Sequence, residues 1–130
     1  MKYLVDSDWI IHYLAGHPGL EARLNSLRGD GLAVSILSLA ELFEGVYRSR
    51  EPRVTEQKLW EFLQGLTVIN LDPQICQLFG QERARLRAAG NLPGDLDLLI
   101  GATALRHSLT LLTNNRQHFE RIEGLQIESL

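Results

Sequence analysis

An α/β fold with a mainly parallel central sheet of four to five strands is the class this sequence predicts. Two observations carry it. Short, wholly apolar runs recur along the chain, as expected of strands buried on both faces rather than on one. Between those runs lie segments of helical periodicity, the alternation that produces strand–helix crossovers. The sequence contains no repeat, linker or low-complexity tract, so one domain over residues 1–130 is expected.

The elements follow in order. Tyr3, Leu4 and Val5 read as the first strand, and Asp6 and Asp8 stand where it must end. Trp9 to Leu14 reads as a short helix, closed by Gly16 and Pro18, with Asp8 the expected N-cap. Leu20, Leu24 and Leu27 have helical spacing. Residues 32–36 form a second strand, after which Ser38 is the expected N-cap of an amphipathic helix whose apolar positions are Leu39, Leu42, Phe43, Val46 and Tyr47. Glu41 falls in that helix's first turn, off the apolar stripe. Leu59, Phe62, Leu63 and Leu66 mark a further helix, and residues 67–71 a third strand. Asp72-Pro73 opens the next helix, with Ile75, Leu78, Phe79 and Leu86 inward and Glu82, Arg83, Arg85 and Arg87 outward. A loop at residues 91–94 leads into residues 95–105, almost wholly apolar and therefore buried. That burial makes Asp97 notable, whereas Asp95 suits an N-cap. Residues 109–113 form a strand, residues 114–118 a polar loop, and residues 125–127 an edge strand.

Composition narrows the class. At 130 residues and a formal charge of −3, the chain has a sizeable core and no global basic field. Its cations are mostly arginine, Lys2 and Lys58 being the only lysines. A lone Cys76 leaves no internal disulfide and fits a reducing cytoplasm. No run of ~18 apolar residues exists to span a membrane, and Asp6 and Asp8 interrupt any signal-peptide core.

In parallel α/β sheets, ligands sit at the C-terminal strand edge. The residues placed there are Asp6, the Glu41 region and the loop from Thr113 to His118, with Asp95 and Asp97 at the start of a buried helix. Three converging carboxylates push one another toward protonation unless a cation neutralises them. With no zinc-type Cys/His cluster, an all-oxygen set suits Mg²⁺ or Mn²⁺. One or two such ions would activate water and stabilise the leaving oxygen in phosphodiester hydrolysis.

Four segments, in order and spanning the chain, resemble the PIN-domain ribonucleases, and within them the VapC-type toxins of toxin–antitoxin pairs. They are Tyr3-Leu4-Val5-Asp6-Ser7-Asp8; Ser35 to Leu42 with Gly45; Asp97 to Leu105; and Leu112-Thr113-Asn114-Asn115-Arg116-Gln117-His118-Phe119 followed by Ile122 and Gly124-Leu125. The resemblance implies a three-layer α/β/α PIN-like domain. It implies that Asp6, Glu41 and Asp97 hold the metal, with Asn115 or His118 where many relatives carry a fourth acid. Ser7, Thr113 and Asp95 would support the site. It also implies an RNA substrate cut to a 3′-hydroxyl and a 5′-phosphate, a homodimer, and a VapB-type antitoxin seated in an apolar groove. Trp9, Leu14, Tyr47, Trp60 and Leu63 are the groove candidates.

Other classes share parts of this pattern. Asp6 and Asp8 also resemble the opening of a haloacid-dehalogenase-type phosphatase, with Asp6 as nucleophile. That chemistry needs a late lysine, as does a phosphoacceptor receiver domain, and none follows Lys58. A PIN-like module that only binds RNA or protein is the third alternative.

Overall fold

The computed structural model describes residues 1–130. Five strands form one sheet in the order β3-β2-β1-β4-β5, every neighbouring pair parallel. The strands are β1 (Tyr3–Val5), β2 (Leu32–Ser35), β3 (Thr67–Ile69), β4 (Thr110–Leu112) and β5 (Ile127–Glu128). The helices are α1 (Ser7–Leu14), α2 (Pro18–Leu27), α3 (Ile36–Arg48), α4 (Pro52–Leu63), α5 (Pro73–Ala88), α6 (Asp95–Arg106) and the short α7 (Arg116–Phe119), with a 3₁₀ turn at Arg28–Asp30.

Successive strand side chains point to opposite faces, and the core divides accordingly. Val5, Val34 and Leu112 join α1 to α4 in one apolar cluster around Trp9 and Ile10. Leu4, Ala33 and Leu111 join α5 to α7 in the other, around Leu98, Ile100 and Phe119. The result is the expected three layers. Because β1 is central and flanked by β2 and β4, the three strand ends converge at one sheet edge.

The strand-to-helix junctions are tighter than expected, and several caps move as a result. α1 starts at Ser7, so Asp6 rather than Asp8 is its N-cap. β2 stops at Ser35, whose hydroxyl caps α3 by accepting the Leu37 N–H at 3.1 Å. Ser38 is therefore a buried helix-interior residue, its Oγ without a hydrogen-bond partner. Glu41 lies in the second turn of α3, and β3 ends at Ile69. Gly94 occupies the N-cap position of α6, leaving Asp95 as its first residue, and α7 adds a turn inside the expected polar loop. Glu82 is not an outward residue: it accepts from Arg85 and from the Glu123 N–H.

α6 is buried along most of its length, although Leu96 is exposed. At Gly101 a Cβ would run into Ile122, so glycine lets this helix pack at backbone distance against the segment after α7. That contact fixes the depth of α6 and the height of Asp97 one turn earlier.

Candidate active site

Asp6 leaves β1 with its backbone still in the sheet, its N–H donating to the Leu112 carbonyl at 3.0 Å. Its carboxylate is 3% exposed. Oδ1 accepts from the Ser7 N–H at 2.9 Å and Oδ2 from the Thr113 hydroxyl at 2.8 Å. Thr113, itself buried at the end of β4, also accepts the Asn115 N–H at 3.1 Å. Asp8 closes the gap between the two strand ends. Its Oδ2 accepts from the Asn114 N–H at 2.9 Å, and its Oδ1 accepts from the Trp9 N–H and, at 3.4 Å, from Thr113.

From α3, Glu41 reaches the same edge and accepts from the Ser7 hydroxyl at 3.3 Å. From α6, Asp97 stands in the first turn, where the helix dipole favours an anion. Its Oδ2 is 3.2 Å from Nδ1 of His118.

The electrostatics record how crowded this edge is. Burial, reinforced by the charges of Asp8 and Glu41, pushes the Asp6 carboxyl from 3.8 up to about 7 against the hydrogen bonds that favour its ionised form. Burial also raises Glu41, with Asp97, Glu44 and Asp8 adding repulsion. It raises Asp97 as well, and there His118 opposes the shift. Acids raised together, one buried and two half-buried, are a set that a cation would relieve.

The donor set is hard and all-oxygen, which fits Mg²⁺ or Mn²⁺. No three His, Cys, Asp or Glu side chains are gathered tightly enough to hold an ion as they stand. Asp6, Glu41 and Asp97 face one edge as an open ring.

The remaining expectations divide. Asp6, Ser7, Glu41 and Thr113 are linked by direct hydrogen bonds. Asn115 enters through its backbone N–H, with its side chain exposed at the start of α7. Asp95 turns instead to Arg83, 3.0 Å away. Two residues not expected to do so tie the site loops: Asp8, expected only as a cap, and Asn114, whose Oδ1 accepts from the Trp9 indole and the Leu130 N–H, both at 2.9 Å. The only sequence signal for Asn114 is its place in the Thr-Asn-Asn string.

Trp9 and Leu63 are core residues, not groove residues; Trp9 is wholly buried because α1 turns it onto the sheet. Tyr47 and Trp60 are exposed, at 67% and 47%. Leu14 does line a small apolar cleft of about 140 Å³ with Ile11, Leu42, Val46 and Leu59.

This is an all-parallel α/β protein with a cluster of acidic side chains at the C-terminal edge of its sheet. The PIN domain pattern matches residues 3–125. Ribonuclease VapC2 of Haemophilus influenzae is 32% identical, with 99% of this chain and 98% of that protein aligned. The tRNA(fMet)-specific endonuclease VapC of Salmonella typhimurium is 30% identical over 98% and 97% of the two chains. Among solved structures, VapBC2 from Rickettsia felis, bound to a DNA fragment from its promoter, superposes with a TM-score of 0.92. There the identity is 31%, and the alignment covers 100% of this chain and 99% of that one. VapBC from Salmonella typhimurium, also bound to DNA, gives 0.91 at 30% identity over 99% and 98%. The chain belongs to the PIN-domain family and, within it, to the VapC ribonucleases.

Proposed function

We propose that this chain is a divalent-cation-dependent endoribonuclease, the toxin of a toxin–antitoxin pair. The observation that carries the reading is the buried Asp6, raised to about 7 beside Asp8 and Glu41, with Asp97 facing the same edge. Such a carboxylate costs stability unless a cation uses it. Asp6, Glu41 and Asp97 would hold Mg²⁺ or Mn²⁺; when bound, the ion supplies Lewis-acid activation of water and neutralises charge at the scissile phosphate.

The protein's own work is placement. Thr113 and the Ser7 N–H fix both oxygens of Asp6, and the Ser7 hydroxyl holds Glu41. His118, from α7, restrains Asp97. Hydrogen-bonded partners of this kind fix ligand orientation before the ligand arrives. The same buried carboxylates exclude a guest that cannot offer compensating positive charge.

The partner reading rests on the cleft between α1, α3 and α4. Apolar walls at Ile11, Leu14, Leu42, Val46 and Leu59, with Tyr47 and Trp60 exposed nearby, suit an apolar segment of an antitoxin. Solved relatives are VapBC assemblies, which supports the same view.

The test is cleavage of RNA by the purified chain with Mg²⁺ or Mn²⁺, and its loss on chelation with EDTA. Persistent cleavage after exhaustive chelation would overturn the cation dependence. No cleavage of any RNA class with either ion would overturn the nuclease assignment.

A further inference from the structure

The acidic edge poses a problem for a polyanionic substrate, and Arg116 is placed to solve it. Asp6, Asp8, Glu41 and Asp97 all stand at the segments that form the pocket, and RNA must bring phosphates toward them. Three arginines in this half of the molecule are paired with carboxylates, Arg83 with Asp95, Arg85 with Glu82 and Glu123, and Arg106 with Asp72, whereas Arg87, Arg116 and Arg121 are not; of those three, Arg116 is the one in the segment that carries Thr113. Arg116 has no acid within 4.0 Å. It directly follows Asn115, whose N–H donates to the same Thr113 hydroxyl that holds Asp6.

Its guanidinium is also oriented. Nη1 donates to the Ser129 hydroxyl at 3.1 Å and touches the Ile127 carbonyl at 3.5 Å. Ser129 in turn donates to the Thr113 carbonyl at 2.6 Å, so its lone pairs face Arg116. A short relay therefore runs from Arg116 through Ser129 and Thr113 to Asp6. The partners are neutral and occupy one edge of the fork, leaving the other N–H donors to solvent. An arginine held by neutral acceptors keeps its full charge and is preorganised for bidentate phosphate binding.

We infer that Arg116 is the substrate-positioning residue of this site, gripping an RNA phosphate that flanks the scissile bond, with Ser129 and the end of β5 aiming it. This rests on the nuclease reading and adds a residue to it.

The test separates the two. RNA affinity is measured in EDTA with a fluorescein-labelled, mixed-sequence RNA hairpin. It is measured in an Asp97→Asn background, across a series of salt concentrations. Arg116→Ala should weaken binding roughly tenfold and lower the slope of log affinity against log salt by about one. Arg116→Lys should keep the slope and recover part of the affinity, since the charge stays and the fork is lost. Ser129→Ala should weaken binding a few-fold with the slope unchanged. In the active protein, Arg116→Ala should raise KM more than it lowers kcat. Unchanged affinity and slope in Arg116→Ala, with only a lower Tm, would reduce Arg116 to a tie for the β5 segment and overturn the inference while leaving the nuclease reading standing. A wild-type chain that neither binds nor cleaves RNA would overturn both.

Discussion

The two walls of the acidic pocket are built differently. On one, Asp6 is buried in the sheet edge with both oxygens committed, to the Ser7 N–H and the Thr113 hydroxyl. On the other, Asp97 is half-buried at a helix start and touches one side chain, His118. Rigidity follows the number of independent constraints. The Asp6 wall is set by two strands and a helix cap; the Asp97 wall is set by a helix and one contact from the four-residue α7. On the proposed function, the Asp6 half would be the fixed part of a cation site and the Asp97 half its more adjustable part.

Variants that remove either wall's carboxylate should have the largest effect and break the contrast altogether. Asp6→Ala and Asp97→Ala should each reduce RNA cleavage to background while circular dichroism keeps the wild-type shape, because neither half can hold the charge alone. Residual cleavage within tenfold of wild type in either variant would remove that residue from the site.

Thr113→Val keeps shape but strips the hydroxyl, leaving an Asp6 oxygen and the Asn115 N–H without their partner. A loss of about 10- to 100-fold in Mn²⁺ affinity and cleavage is expected, with a stability cost of about 1–3 kcal/mol for the unsatisfied groups. Titration calorimetry with Mn²⁺ would show it.

The Asp6 wall should also betray itself in the pH dependence of stability without metal. Its carboxyl titrates near 3.8 when unfolded and at about 7 when folded. Between those values the native state holds a proton that the unfolded state has lost, so stability falls as pH rises through this window and levels off above it. Asp6→Asn should flatten that fall and raise the unfolding free energy above pH 7, by at most ~4 kcal/mol and less after rearranged hydrogen bonds. Denaturant melts at pH 5 and pH 8 would reveal whether the wild-type slope has this sign.

The smallest effect belongs to His118→Ala. Water can replace the imidazole at a half-exposed Asp97, so Mn²⁺ affinity should fall less than in Thr113→Val, by no more than about tenfold. An effect equal to that of Thr113→Val would erase the contrast between the walls.

What the sequence made legible follows the range of the forces involved. Apolar runs and their periods marked every strand and the six longer helices, since burial is patterned locally. Glu41 and Asp97 were singled out chiefly by the resemblance of their segments to the PIN-domain pattern, with the apolar helix around Asp97 adding a local signal. Caps slipped where two capable side chains stand close together: Ser35 and Ser38 before α3, and Asp6 and Asp8 before α1, both fit, and the backbone path decides. Trp9 looked available for a partner because nothing nearby in sequence reports that α1 turns it onto the sheet. Asp8 and Asn114 were overlooked as loop ties for the same reason, their partners lying 105 or 106 residues away.

That separation has a consequence for the making of the protein. β1 is the centre of the sheet and precedes the other four strands in the chain, yet its partner β4 pairs with it from residues 110–112. The bond between Thr113 and Asp6 spans 107 residues. Such long-range parallel pairing comes late in folding, and on a ribosome it cannot begin until the far strand has emerged. The acidic edge is thus absent from the nascent chain. A chain built this way cannot assemble its acidic edge until the fourth strand has been made.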